Sequence, residues 1–413
     1  MTNKKQGKTA DRISIFIFIL LICTFPLVSF LKEDKDFSDQ ENRILASQPV
    51  LTVEAVFNGS YGKNFENYVQ DQLAGRDGLV ALKTTGDRVI GKHDNGSVYF
   101  GKEGMLFAIE TIETDQLLKN TDYVNIFSER LKKIYALDVS FMVVPTATEI
   151  EKDLLPKNAP VPDESAAIKT VKENFTGRFC DVTENLLTHR NEYIYYRSDH
   201  HWTTIGAYYA YRQYAAEILE GRQENTFDYN TFLPPQQAGY EVKAVSSSFL
   251  GTNDSKAPGI GTKMDTIFVI EKSGEEAEEN FSMYIADASF TSERTMESIY
   301  DESFLAKKDQ YSYFLSGNNP VTVIEKAVDE KKRTEETGSN PESVKNLLII
   351  KDSYANCFIP FLTADFDRIV AVDLRYFRKS PDELIEKYKI TDVLILYNIL
   401  NFAADKNLIY LAK

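Results

Sequence analysis

Histidine, tryptophan and cysteine are scarce in this 413-residue chain: four His, one Trp and three Cys. A structural zinc site draws on clustered Cys and His. No two of Cys23, Cys180 and Cys357 stand at C-x-x-C spacing, so no metal site is expected. Cys23 falls inside an apolar N-terminal run, which leaves Cys180 and Cys357 as one disulfide or two buried thiols. Positive charge is also short, with 47 Lys and Arg against 62 Asp and Glu and a net charge of −15. Neutralising phosphates needs the opposite balance, so nucleic acid is excluded as a partner. An acidic surface serves solubility, or it faces a neutral or cationic polymer. The chain has no G-x-S-x-G, so the α/β-hydrolase elbow is not indicated, and it has no internal repeat. Apolar residues, in contrast, are plentiful. At 43% hydrophobic, with 23 Tyr and 26 Phe, the chain has ample material for a core and is not of disordered composition.

The N-terminus carries the clearest topological signal. Lys4, Lys5, Lys8 and Arg12 precede residues 13–31, 19 residues without a charge. That length spans a bilayer core, and flanking Lys and Arg stay on the cytoplasmic side. The segment KEDKDFSDQEN that follows has no small-x-small cleavage pattern. The expectation is therefore an uncleaved signal-anchor, with a cleaved signal peptide as the alternative. Residues 1–12 become a cytoplasmic tail, 13–31 a transmembrane helix, 32–56 a linker and 57–413 an extracytoplasmic domain. Without the tail, which carries four basic residues and one acidic one, the chain stands at −18.

Helical spacing of apolar residues runs through 57–84 and 121–137. Residues 97–107 read as strand, Gly turn, strand. The continuous apolar run VSFMVVPTA has the pattern of a strand buried in a parallel sheet. NEYIYYRSDHHWTT reads as a short aromatic strand and a polar turn before a helix from about Thr203. Residues 221–340 hold strand-like pieces (MDTIFVIE, FSMYIAD, VTVIEKAV) between Gly- and Ser-rich loops, a candidate insertion or sub-lobe. Residues 329–345 form a charged linker. Beyond them the strands LLII, RIVAVDL and TDVLILYNI alternate with helices (YANCFIPFLTADF, PDELIEKYK). That alternation predicts an α/β fold with a mainly parallel sheet and helices on both faces, whose ligand site lies at the carboxyl ends of the strands.

At one such end stands Ser353, between the strand 347–350 and the next helix. Free backbone N–H groups at a helix start suit an oxyanion, although a serine there is also an ordinary N-cap. Asp199-His200-His201-Trp202 concentrates half of the histidines in a polar turn behind an acid. A serine nucleophile needs a base, and the base needs a carboxylate to fix its tautomer; a D-x-H turn supplies both. The competing readings are a helix cap with packed histidines, or a metal held by Asp199, His200 and His201, which lacks a further ligand cluster.

SDHHWT resembles the signature of the DHHW family, which is similar to the alginate O-acetyltransferase group of the SGNH-hydrolase superfamily. FSDQENRILASQP, NFENYVQDQLAGRDGL, VYFGKEGMLF, DQYSYFLSGNNP, IIKDSYANCFIPFL and VDLRYF resemble that family's stretches in the same order. The resemblance implies an SGNH-like three-layer sandwich, with Ser353 as nucleophile, His201 as base and Asp199 as its orienter. Tyr354, Gly317 and Asn318 are oxyanion-hole candidates. Trp202, His200 and Arg375 are substrate-binding candidates, with an ion pair as the simpler reading for Arg375. It also implies O-acyl transfer to a cell-surface or secreted polysaccharide without a cofactor, and a multi-spanning membrane acyltransferase as supplier of the acyl group. The alternatives are a carbohydrate O-acetylesterase with the same triad and a non-catalytic glycan-binding or scaffold protein of the envelope.

Overall fold

The computed structural model describes residues 2–38, 43–223, 227–273, 281–326 and 344–413. Its contacts divide the chain into two units, one of residues 1–92 with 255–260 and the other of 93–254 with 261–413.

The first unit begins with the helix α1 (Thr2–Leu31). Its stretch Asp11–Leu31, 21 residues, is long and apolar enough to cross a membrane. A short helix, Val53–Phe57, and two longer ones follow, α2 (Ser60–Gln72) and α3 (Arg76–Val89). The single helical stretch expected at 57–84 is thus two helices, broken at Leu73, whose backbone is extended, and at Gly75, whose φ is +69°. A short antiparallel pair, Phe37–Ser38 with Arg43–Ile44, stands where a linker was expected.

The second unit is built on a long sheet. Its strands are β1 (Val139–Val144), β2 (Arg178–Cys180), β5 (Phe281–Ala286), β6 (Glu293–Met296), β7 (Val321–Lys326), β8 (Asn346–Lys351), β9 (Arg368–Val372) and β10 (Asp392–Asn398). The separate hairpin β3 (Tyr240–Phe249) and β4 (Asp265–Lys272) lies outside it. Across the sheet the order is β6-β5-β7-β9-β8-β10-β1-β2. The five strands from β9 to β2 are parallel. The strands β7, β5 and β6 join antiparallel. The sheet is therefore mixed, where a mainly parallel one was expected. Six residues separate β5 from β6, too few for the crossover that a parallel pair requires. Three of the strands from 221–340 thus extend the main sheet. Most of the charged stretch 329–345 lies outside the described residues.

Strict alternation along the parallel strands feeds two cores. Leu347, Ile349, Ala371, Leu394 and Leu396 enter one; Leu348, Ile350, Val370, Val393 and Ile395 enter the other. The first is closed by the helix α6 (Thr204–Tyr214) and the β3–β4 hairpin. The second is closed by α4 (Thr114–Tyr135), α5 (Glu164–Asn174), α7 (Asp382–Tyr388) and α8 (Ile399–Ala404). Strands buried on both faces must read as continuous apolar runs, and these do. Their carboxyl ends open on a single edge, where Asp352 N–H donates to Leu396 O at 3.2 Å.

Candidate functional site

At that edge the chain leaves β8 through Lys351, Asp352 and Ser353. Asp352 caps the following turn by accepting Tyr354 N–H at 2.9 Å. Its other oxygen accepts Asn398 N–H (3.0 Å), Asn398 Nδ2 (2.7 Å) and Asn401 Nδ2 (2.9 Å), tying β8 to β10. Burial raises the Asp352 carboxyl from its ordinary range, against those donors and the charge of Arg375. Because Asp352 is the cap, the Ser353 hydroxyl is left for other partners. The long helix expected after Ser353 is a five-residue 3-10 turn, Ser353–Cys357, followed by Ile359–Leu362. Pro360 stands in the first turn of the second piece and has no N–H to carry the ladder back.

The other half of the site comes from the turn before α6. Thr203 caps that helix through Gly206 N–H, so Asp199 is free of capping there. Asp199 Oδ1 accepts His201 N–H at 3.0 Å and meets His201 Nδ1 at 2.5 Å. Its Oδ2 accepts Thr252 N–H at 2.7 Å. His201 Nε2 lies 2.7 Å from Ser353 Oγ. The three side chains predicted from sequence therefore form one hydrogen-bonded chain, with each residue at 3–5% exposure. Burial alone would raise the Asp199 carboxyl, but His200, His201 and the Thr252 amide outweigh it and hold it well below the usual range. It stays an acceptor.

The turn is locked from beneath. Asp265 accepts Tyr193 OH (2.6 Å), Arg197 N–H (2.9 Å), Ser198 N–H (2.7 Å) and Ser198 Oγ (2.6 Å). Gly251 passes so close to Asp199 that an added Cβ would sit 2.2 Å from Oδ2. The Tyr311 ring stacks on His201 at 3.8 Å and 12°, and its hydroxyl donates to Ser353 O at 3.1 Å. None of Tyr311, Gly251, Thr252 and Asp265 was singled out from sequence. The block DQYSYFLSGNNP, which holds Tyr311 together with Gly317 and Asn318, was the available signal.

A family model described as DHHW protein matches residues 120–372, more than half of the chain. The chain belongs to the DHHW family. A comparison with curated proteins finds no sequence match. Among solved structures, a DHHW family protein from Eubacterium siraeum superposes with a TM-score of 0.57 at 24% identity, over 75% of this chain and 92% of that one. PatB1 of Bacillus cereus, solved with a sulfonyl adduct, superposes with a TM-score of 0.59 at 17% identity, over 76% and 97%. Those likenesses establish the fold.

The remaining predicted residues of this DHHW protein fall in different places. Trp202 is fully buried; its Nε1 donates to Tyr354 O at 2.9 Å and its ring stacks with Phe358. It is a core residue and not a platform for a sugar, as befits an indole whose N–H finds an internal partner. Tyr354 N–H is taken up by Asp352, which removes it as an oxyanion donor, and its hydroxyl donates to His200 O. Arg375 forms a two-pronged pair with Asp373 at 2.6 and 2.9 Å. His200 keeps a third of its side chain exposed, with Nδ1 3.8 Å from Asp199 Oδ2.

Gly317 ends, and Asn318 follows, a run of left-handed backbone: Leu315 at φ +56°, Ser316 at +55°, Gly317 at +82°. Leucine and serine rarely adopt it, and each such residue costs about 1 kcal/mol or more. The run delivers Asn318 to Lys351 and Asn356. The buried Lys351 Nζ donates to Asn356 Oδ1 at 2.7 Å, and Asn356 Nδ2 donates to Asn318 Oδ1 at 3.3 Å. Lysine only donates, so it fixes both amides and leaves Asn318 Nδ2 as the spare donor. Burial lowers the Lys351 ammonium to about 8.

Asp199, His200 and His201 each offer a ligand atom within 4.8 Å of the others, the only such metal-ligating group among the described residues. Both His201 nitrogens and both Asp199 oxygens already carry hydrogen bonds, so the donor set does not fit a resident cation. Cys180 and Cys357 are buried free thiols. Burial pushes Cys357 up to about 12, which makes it a poor nucleophile.

Proposed function

We propose that this DHHW protein is an extracytoplasmic, membrane-anchored SGNH-type acyltransferase that carries an acyl group on Ser353 and delivers it to a sugar hydroxyl of a polysaccharide. One observation carries the reading: the unbroken chain from Asp199 Oδ1 through His201 Nδ1 and Nε2 to Ser353 Oγ. That is the arrangement in which a neutral imidazole, its tautomer fixed by a carboxylate, activates a hydroxyl.

His201 Nε2 takes the proton as Ser353 Oγ bonds to the acyl carbonyl carbon. The leaving oxygen departs with that proton and acyl-Ser353 remains. A sugar hydroxyl then attacks, giving its proton to His201, and the ester forms as Ser353 Oγ recovers a proton. Asn318 Nδ2 is the donor suited to the oxyanion. His200, with a third of its side chain exposed, is the residue assigned to the acceptor in this reading. The resemblance to the alginate O-acetyltransferase group favours acetyl as the acyl group, with a multi-spanning membrane acyltransferase as donor. Water in place of the sugar would make the same site an esterase.

The test is turnover of an activated acetyl ester by the full chain in detergent, before and after a sulfonyl fluoride. Turnover that disappears in Ser353→Ala, with sulfonylation confined to Ser353, supports the reading. A folded Ser353→Ala protein that retains turnover contradicts it.

A further inference from the structure

In the first unit the usual sorting of side chains is reversed. The buried residues of α2 and α3 are Gln72, Thr84 and Asp87. Most of their large apolar side chains are exposed: Phe65 and Val69 on α2, and Leu79, Leu82 and Val89 on α3, with Ile90 just beyond, while Val80 is half-buried. Leu79, Leu82 and Val89 recur at i, i+3 and i+10, a single helical face. Helices of 13 and 14 residues with no apolar core beneath them are marginal in water.

The loop between the two helices meets α1. Ala74 N–H donates to Ser29 Oγ at 2.9 Å, and a Cβ on Gly75 would lie 3.9 Å from the Phe25 ring. Gln72 ties the same place to the chain leaving α1, accepting Lys35 N–H at 2.9 Å and donating to Lys35 O at 2.9 Å and Ala46 O at 3.2 Å. Tyr68 OH donates to Asp34. At about 1.5 Å per residue the 19 uncharged residues 13–31 of α1 are about 29 Å long, matching a hydrocarbon core of about 30 Å. Ser29 and Phe25 are two and six residues before its end, so the loop touches the helix roughly 3 to 9 Å inside that end. A backbone N–H at such depth has no water to bond, and Ala74 N–H is satisfied by a side chain of α1 itself.

We infer that the α2–α3 hairpin is an interfacial membrane element whose Leu79, Leu82 and Val89 face rests among lipid acyl chains beside α1. The inference relies on α1 spanning the bilayer. Charge agrees with it: residues 32–92 carry eight basic and ten acidic side chains, while 93–413 stand at −16. The aromatic cluster of Tyr61, Phe65 and Tyr68 on α2 is of the kind found at the headgroup level.

The test uses the full chain with Cys23→Ser in neutral phosphatidylcholine vesicles, spin-labelled in turn at Leu79→Cys, Leu82→Cys and Val89→Cys. Ile19→Cys reports the span and Lys133→Cys reports water; Cys180 and Cys357 are buried. Labels at 79, 82 and 89 are expected to collide several-fold more with oxygen than with a water-soluble nickel chelate, and the label at 133 the reverse. Protection from both reagents at 82 means a protein surface, such as a second copy, covers the face and overturns the inference. Water-like collisions at 82 with Ile19→Cys deep overturn it while the anchor stands. Water-like collisions at both positions overturn the anchor and the hairpin together.

Discussion

In α4 the buried positions include Leu117, Val124, Phe127 and Leu131, whereas in α2 and α3 they are Gln72, Thr84 and Asp87. On the membrane placement inferred above, the two units of this DHHW protein apply one rule in two solvents. Where water surrounds the chain, apolar side chains turn inward and pack to near-crystalline density. Where lipid is the neighbour, the same side chains turn outward and polar groups tie the backbone from within. The contrast also explains where chemistry resides. A rigid parallel sheet buried on both faces holds Ser353 and His201 to a hydrogen-bond distance across 152 residues of sequence.

The largest expected effect lies in the second unit. Ser353→Ala should lower acyl transfer roughly a thousandfold or more, with far-UV circular dichroism and melting unchanged. Next, Leu348→Ala should cost about 2 to 5 kcal/mol in denaturant unfolding, since it leaves a cavity in a closed core. Buried charge comes third. Burial raises the Glu164 carboxyl to about 7, against hydrogen bonds from Thr146 N–H and Oγ1. The folded state then holds a proton that the unfolded chain has lost. Stability should fall by about 3 kcal/mol as pH rises from about 4.5 to about 7, and Glu164→Gln should flatten that slope. Fourth, Gly251→Ala should displace Asp199, reduce turnover about 100-fold and cost about 1 to 3 kcal/mol of stability. Smallest, Leu82→Ser should alter unfolding of the detergent-solubilised chain by no more than about 0.5 kcal/mol. A Leu82→Ser loss as large as that of Leu348→Ala would break the comparison, because it would make Leu82 a core residue.

Strands β8, β9 and β10 were legible because double burial leaves a continuous apolar signature, and Ser353 because it ends one of them. Asp199 and His201 were legible because a local turn supplies both. The antiparallel strands β5 and β7 were visible as strands but not as members of the sheet, since pairing partners lie far apart in sequence and one strand reads alike in either sheet; β6, the polar ERTM, gave no strand signal. Trp202 read equally as a sugar platform or a core residue, because its burial is decided by Tyr354 and Phe358, far along the sequence. Gly251 and Thr252 gave no local sign, their role arising only where the chain passes Asp199. The cap of the Ser353 turn was misread by one residue: Asp352 and Ser353 both cap well, and the contacts of Asp352 with Asn398 and Asn401 decide between them.

Ser353 is the proposed nucleophile, accepting an acyl group with His201 as base. The most direct test of that role is intact-mass measurement of the full chain after brief exposure to an activated acetyl ester, beside Ser353→Ala and His201→Ala. An adduct of about 42 Da that maps to Ser353, absent from Ser353→Ala and strongly reduced in His201→Ala, is the predicted result. An adduct elsewhere, or one that persists on Ser353 at full rate in His201→Ala, would contradict the account.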